Sequence, residues 1–188
     1  QGGLRMEINM KDLHEGEIPI HQPPPAPVPK PDGIIMFGDS TTALRPGAVQ
    51  KVYSVRVDEA LQSIGSSMPV HNAGIGGNTT REALKRFERD VLQHRPKLIV
   101  MQFGINDSAI DVWRDPPEAE PRISRARFKE NLSFFLRELA DQKIRAILMT
   151  PNPMRWAPRT RELYNQPPYN LDDPDGFNVL LRDYAEAV

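Results

Sequence analysis

The chain has 188 residues, and its 24 basic and 25 acidic residues are mixed along its length and give a formal net charge of −1. This balance argues against a nucleic-acid partner or an anionic membrane surface, and no apolar run approaches the roughly 20 residues needed to span a bilayer. The complete lack of cysteine in the sequence excludes disulfides, thiolate metal ligands and a cysteine nucleophile. We therefore expect one domain that acts on a small molecule without a cofactor or metal. The sequence leaves the compartment open, including secretion or periplasmic export with the signal segment removed.

Residues 1–32 are predicted to form a tail or linker. They lack sustained periodicity and end in the proline-rich run HQPPPAPVPKP at 21–31, which favours an extended polyproline conformation. His14 and His21 lie in this segment, and we interpret both as solvated linker residues. The folded domain is predicted to span residues 33–188.

Apolar runs of strand length recur along the predicted domain. Most of them are continuously apolar, which is typical of strands in a parallel sheet that is covered on both faces. The predicted strands cover residues 34–37, 70–73, 98–103 and 144–149.

Amphipathic segments between and after these runs predict helices. Thr79-Thr80-Arg81-Glu82 has the pattern of a capping box, Ser124 is positioned to cap a second helix, and a weaker helix is predicted over 49–64. Strands that alternate with helices indicate an α/β protein with a mostly parallel sheet between two helical layers. The apolar stripes are Leu84, Phe87 and Val91 in one helix, Phe128, Leu132, Phe135 and Leu139 in the next, and Phe177, Leu180, Leu181, Tyr184 and Val188 in a final helix.

Glycine or a compact polar group follows each predicted strand. In doubly wound sheets, ligands bind outside the carboxyl ends of the strands, so these residues are the first candidates for a site. They read GDS at 38–40, GIGGN at 74–78, GIND at 104–107 and TPN at 150–152.

These residue types suit acyl transfer, which needs a nucleophile, a base and donors that stabilise the negative charge on the carbonyl oxygen. Ser40 is the candidate nucleophile. Gly77 would let an acyl group approach a backbone N–H, and the Asn106 amide can be aimed at the same point. With the N–H of Ser40, these groups would form an oxyanion hole with three donors. Asp39 and Asp107 are interpreted as braces that accept hydrogen bonds from the loop backbone.

Three motifs resemble those of a known family, the SGNH hydrolases, also called GDSL esterases and lipases. FGDSTT at 37–42, NAGIGGNTT at 72–80 and FGIND at 103–107 occur in the family's order. The resemblance covers residues 33–188 and implies ester hydrolysis and a three-layer α/β/α sandwich with a flavodoxin-like sheet. It also implies that Ser40 is the nucleophile and that Gly77 and Asn106 are oxyanion donors. Gly77 is preferred to Gly76 because the family's glycine directly precedes the polar residue before the next helix.

The chain departs from the family at the general base, which is a histidine in an Asp-x-x-His block that follows a fifth strand. No histidine follows His94 in this sequence. His71 falls within the second predicted strand and His94 is placed at the opposite end of the sheet, so we interpret both as core or surface residues. We expect the chain to be truncated, with its natural form continuing past Val188 through a fifth strand to the Asp/His block. The alternative is a natural, non-catalytic relative that binds an ester or a glycan.

Each motif also has a simpler interpretation as a turn or a loop at the start of a helix, and only their joint placement favours a site. A dinucleotide site is a weak alternative, because Thr79 replaces the third glycine of the Gly-rich fingerprint. A phosphoesterase metal site at Asp39, Asn106 and Asp107 is also weak, because such sites generally recruit several histidines.

The substrate is predicted from the loops that follow the third and fourth strands. Their tryptophans, Trp113 and Trp156, would either stack on sugar rings or anchor the loops. No broad apolar lid is evident, which favours a short acyl ester, especially an acetyl ester on a carbohydrate, over a long-chain lipid.

Overall fold

The structure, a computed structural model, describes residues 33–45, 47 and 50–188. The predicted tail, with His14 and His21, lies outside these residues. The described part contains a four-stranded sheet in the order β2-β1-β3-β4, and every pair of neighbouring strands is parallel. This order is that of a flavodoxin-like sheet and confirms the predicted topology. The strands are β1 (Ile34–Gly38), β2 (Val70–Gly74), β3 (Leu98–Gln102) and β4 (Arg145–Met149).

Helices cover the two faces of this sheet. Because side chains alternate along a strand, Ile34 and Met36 point to one face, and Ile35 and Phe37 point to the other. The first face packs against α1, and the second packs against α2 and α3. This arrangement is the predicted three-layer sandwich. The helices are α1 (Tyr53–Ser63), α2 (Thr80–Asp90), α3 (Arg125–Asp141), α4 (Pro158–Leu163) and α5 (Leu181–Ala185), with a short 3₁₀ helix at Leu92–His94.

Both predicted helix caps are present. The Thr79 hydroxyl accepts a hydrogen bond from the N–H of Arg81, while the Glu82 carboxylate accepts one from the N–H of Thr79. The Ser124 hydroxyl likewise accepts from the N–H of Arg127 at the start of α3. These bonds satisfy N–H groups that the first turn of a helix leaves without partners. The capping box fixes where α2 begins, directly after the glycine-rich loop.

One expectation about the end of the chain is wrong. The final helix begins at Leu181 instead of near Phe177, because Phe177 packs on Tyr164 and Tyr169 in a separate aromatic cluster. Within the described residues the outer strand β4 pairs with β3 alone, and its Ile147 is 49% exposed despite the apolar sequence of the strand.

A helix must be both long and apolar to span a membrane. No helix in the described part of the chain is both long and apolar enough to cross a membrane.

Candidate active site

The register of the sheet brings the three motifs to one edge. Gly38 pairs with Gly74 on one side and with Gln102 on the other, so β1, β2 and β3 end level with one another. The loop after β2 contacts the end of β1, where the N–H of Ile75 donates to the carbonyl of Gly38 at 3.1 Å. The segments that carry Ser40, Gly77 and Asn106 therefore leave the sheet side by side.

Close contacts join the nucleophile turn to the glycine-rich loop. A Cβ atom added to Gly76 would lie 3.9 Å from the Cβ of Ser40. In the next segment, the Asn106 side-chain amide donates to the backbone carbonyl of Asn78 at 3.0 Å. Ser40 and Asn106 are both half-buried, so a small ligand can reach them. The structure thus brings the predicted residues into one contiguous cluster, although their catalytic roles remain predictions.

Two glycines allow the nucleophile turn to pack tightly. A Cβ atom on Gly38 would lie 2.1 Å from the hydroxyl oxygen of Thr42, and one on Gly74 would lie 2.3 Å from the backbone nitrogen of Ala43. Both distances are shorter than any van der Waals contact, so larger residues would displace the turn that carries Ser40. The glycines at these strand ends are therefore required by close packing.

Gly77 is a glycine for a different reason. Its φ is +76°, in the left-handed region that other residues rarely adopt. A Cβ atom there would meet nothing within 4 Å, which leaves the space in front of this peptide open. The backbone at Gly77 can therefore be approached without a steric barrier, as an oxyanion donor requires.

Asp39 braces the nucleophile turn. One oxygen of its buried carboxylate accepts hydrogen bonds from the N–H and the hydroxyl of Thr41, each at 2.8 Å. The Arg45 guanidinium donates to the Ser40 carbonyl at 2.8 Å and holds the other side of the turn. Burial raises the pKa of Asp39, while the bonds from Thr41 and the charge of Arg45 act in the opposite direction. The prediction that Asp39 accepts backbone hydrogen bonds is confirmed.

Asp107 braces the start of α2. Its Oδ1 accepts from the N–H of Thr80 at 2.9 Å and from the Thr80 hydroxyl at 2.5 Å. The same hydroxyl accepts from the Asn131 amide at 2.8 Å, which ties this loop to α3. The second oxygen, Oδ2, is buried and has no hydrogen-bond partner. Burial raises the pKa of Asp107 from its ordinary value of 3.8 to about 6, although the bonds from Thr80 lower it.

Replacement of Asp107 by asparagine is expected to stabilise the protein at neutral pH. Because the pKa is raised on folding, the native state binds more protons than the unfolded state between about pH 4 and pH 6, so wild-type stability falls as pH rises through this window. Asparagine keeps an acceptor for Thr80 and cannot ionise. Urea unfolding should show a gain of roughly 1–3 kcal/mol at pH 7 and little difference at pH 4.

The matched control is Asp141→Asn, which removes an exposed carboxylate at the last residue of α3. As a substitution of an exposed side chain, it should change the free energy of unfolding at pH 7 by less than about 0.5 kcal/mol. A stability difference between wild type and Asp107→Asn that stays constant from pH 4 to pH 7 would contradict the assigned ionisation.

The two described histidines lie away from Ser40. His71 is the second residue of β2, about 10 Å along the strand from Gly74. Its ring centroid is 6.0 Å from that of His94, which lies in the 3₁₀ helix before β3. Burial and the neighbouring His94 lower the pKa of His71. Both residues therefore stand at the amino end or middle of the sheet, as predicted, and not at the edge that carries the site.

The loops after β3 and β4 build a second apolar cluster. Its buried members include Ile110, Val112, Tyr164, Tyr169 and Phe177, and the Tyr169 hydroxyl accepts from the N–H of Ile110 at 2.7 Å. Both tryptophans bond within these loops. The indole N–H of Trp156 donates to the carbonyl of Asp173 at 2.8 Å, and that of Trp113 donates to Asp111 at 3.2 Å. These bonds support the anchoring interpretation, although the Trp113 side chain stays 40% exposed.

Sequence comparison places the chain in a family. Residues 36–188 match the GDSL-like Lipase/Acylhydrolase family, to which the chain therefore belongs. The resemblance to the SGNH or GDSL hydrolases is thereby confirmed.

Individual relatives and a solved structure agree with this assignment. The chain is 38% identical over 130 residues to the Bacillus subtilis protein named "Uncharacterized lipoprotein YqeF", covering 65% of this chain and 49% of that protein. It is 30% identical over 155 residues to an acetylxylan esterase of Geobacillus stearothermophilus, covering 71% and 68%. The crystal structure of a lipase/acylhydrolase from Enterococcus faecalis superimposes with a TM-score of 0.57 at 30% identity, covering 83% and 70%. The chain thus spans about half the length of the B. subtilis relative.

Proposed function

We propose that the protein is a serine esterase that hydrolyses short acyl esters, in particular acetyl esters of carbohydrates. The observation that carries this proposal is the contiguous cluster at the edge of the sheet, in which the Ser40 turn contacts the glycine-rich loop and this loop contacts Asn106. Membership of the GDSL-like family and the similarity to an acetylxylan esterase support it.

In the proposed reaction, Ser40 Oγ attacks the carbonyl carbon of the ester while a general base removes its proton. The carbonyl oxygen becomes an oxyanion that accepts hydrogen bonds from the backbone N–H groups of Ser40 and Gly77 and from the Asn106 amide. Collapse of this intermediate breaks the ester C–O bond, and the alcohol leaves with the proton from the base. Water then attacks the acyl-serine by the same route and releases the carboxylic acid and free Ser40.

The general base is proposed to be a histidine outside the described residues. His71 and His94, the two described histidines, lie away from the edge of the sheet that carries Ser40. A serine without a base is a weak nucleophile, so the rate depends on this residue. The oxyanion donors alone would retain only a small rate above that of water.

The preferred acyl length tests the proposed substrate class. The natural full-length protein is expected to hydrolyse p-nitrophenyl acetate with a kcat/KM at least about tenfold higher than that for the octanoate ester, because an acyl pocket that fits acetyl would exclude a longer chain by steric clash. It should also release acetate from acetylated xylo-oligosaccharides.

Faster hydrolysis of the octanoate ester would contradict the short-acyl assignment. Saturable binding of the acetylated oligosaccharide without any acetate release would instead support the non-catalytic relative that binds an ester or glycan. Calorimetry with the acetylated and the deacetylated oligosaccharide would identify that outcome.

A further inference from the structure

Arg86 of α2 places a buried guanidinium group directly behind the candidate site. Its side chain is only 6% exposed and lies over the ring of Phe37, with 4.4 Å between the guanidinium carbon and the ring centroid. An arginine cannot lose its charge at ordinary pH, so its burial requires several good acceptors. The sequence patterns did not single out this residue.

The acceptors of Arg86 belong to two different strand ends. Nη2 donates to the carbonyl of Gly38 at 2.9 Å, directly before the turn that carries Ser40. Nη1 donates to the carbonyl of Ala73 at 2.7 Å, near the end of β2, and Nε donates to the side-chain oxygen of Asn78 at 2.8 Å. One planar group therefore fixes the distance between the nucleophile turn and the glycine-rich loop.

Asn78 extends this connection to Asn106. The backbone carbonyl of Asn78 accepts one N–H of the Asn106 amide at 3.0 Å. A side-chain amide has two N–H donors, so the second N–H of Asn106 remains available to a ligand. Its direction depends on where Asn78 is held, and Asn78 is buried with its own side chain bonded to Arg86.

The charge of Arg86 is balanced locally. Its Nη1 also donates to Asp90 at 2.9 Å, and Arg89 donates to the same carboxylate at 2.6 Å. The side chain of Asp90 is 17% exposed, so the ion pair is largely shielded from water. Because Asp90 balances the charge of Arg86, its main effect is to hold the two strand ends in place, and it adds little electrostatic potential at the candidate site.

We propose that Arg86 is a positioning residue that aims the Asn106 amide, through Asn78, at the reaction centre beside Ser40. This inference rests on the proposed esterase function and adds a residue to it. Lysine cannot replace the fork of donors, because its ammonium group is a single point without a fixed plane. A residue that only stabilises the fold would affect turnover equally with and without Asn106. A positioning residue should affect turnover mainly when Asn106 is present.

The test compares Arg86→Lys with wild type in the natural full-length protein, with p-nitrophenyl acetate as substrate. The fraction of active enzyme is measured by endpoint labelling with a fluorophosphonate, and kcat is expressed per labelled site. Arg86→Lys is expected to lower kcat by about 10- to 100-fold, since small misplacements of catalytic groups have effects of this size, while KM changes less than about threefold. Arg89→Lys is the matched control, because Arg89 bonds the same Asp90 but is 58% exposed, and its kcat should equal that of wild type.

A double-mutant cycle separates positioning from a structural role. In an Asn106→Ala background, the loss of kcat caused by Arg86→Lys should be at least about threefold smaller than in wild type, because the effect through Asn106 is gone and only the effect through the Gly38 carbonyl remains. An equal loss in both backgrounds, or an unchanged kcat for Arg86→Lys, would overturn the inference. If Arg86→Lys does not fold, Asn78→Ala removes one link of the same connection. A loss of about tenfold or more in its kcat would support the inference, and a wild-type kcat would overturn it.

Failure of this inference is distinguishable from failure of the proposed function. If Ser40→Ala abolishes turnover while Arg86→Lys retains full kcat, only the role of Arg86 is wrong. If Ser40→Ala retains full turnover, the proposed nucleophile is wrong, and with it the reaction centre that Arg86 is proposed to serve.

Discussion

Replacement of Ser40 by alanine is expected to remove nearly all ester hydrolysis from the full-length protein, with a loss in kcat of about 10⁴-fold or more. The Ser40 hydroxyl oxygen is the atom proposed to form the acyl intermediate, and alanine has no atom that could form this bond. The exposed peptide at Gly77 and the half-buried Asn106 are retained in the variant, so a small residual rate above water is expected. Steady-state hydrolysis of p-nitrophenyl acetate measures the loss.

The control for Ser40→Ala is Ser63→Ala. Ser63 is the exposed last residue of α1, and its hydroxyl donates to the carbonyl of Ala60 at 2.7 Å, so this variant removes a serine hydroxyl away from the carboxyl ends of the strands. Its turnover should match that of wild type. Unchanged turnover in a folded Ser40→Ala protein would exclude Ser40 as the nucleophile.

Replacement of Asn106 by alanine is expected to lower kcat by about 10²- to 10³-fold, which is the usual cost of one lost oxyanion donor. The reason is that its amide is already oriented by the bond to the Asn78 carbonyl, so no reorganisation is needed when negative charge develops on the substrate. KM should change little, because the ester carbonyl in the ground state carries only a partial charge. Separate measurement of kcat and KM on the acetate ester checks this.

Gln142→Ala provides the control for this second substitution. Gln142 is an exposed residue that follows α3 and precedes the amino end of β4, so its loss removes a carboxamide away from the carboxyl ends of the strands and should leave both constants unchanged. A variant at Asn106 with a raised KM and an unchanged kcat would indicate a residue that binds the substrate without stabilising the oxyanion.

Most of the sheet could be predicted from local patterns. The apolar runs marked all four strands, and Thr79 and Ser124 marked the starts of two helices, because strand burial and helix capping each depend on a few neighbouring residues. Parallel strands also have their carboxyl ends at one edge, so the placement at this edge of the segments that carry Ser40, Gly77 and Asn106 follows from topology alone.

Features that depend on distant contacts could not be predicted in this way. Phe177 lies on a helical stripe in the sequence but joins an aromatic cluster with Tyr164 and Tyr169, whose partners are close only after folding. The exposure of β4 depends on its neighbours in the sheet and not on its own apolar residues.

Arg86 was missed because an arginine on a charged helix is usually solvated. One signal could have identified it. Ala83, Arg86, Phe87 and Asp90 recur at the spacing of one helix face, and Ala83 and Phe87 are core residues. A charged residue between two core positions, with an opposite charge four residues later, indicates a buried ion pair.

The two apolar clusters support different parts of the molecule. The proposed chemistry rests on the cluster around Phe37, while the loops after β3 and β4 have their own cluster around Tyr164. Substitutions that are far apart and share no partners have nearly additive effects on stability. Substitutions in the loops after β3 and β4 are therefore expected to alter the stability of the Tyr164 cluster with little effect on the packing around Phe37, which supports the strand ends.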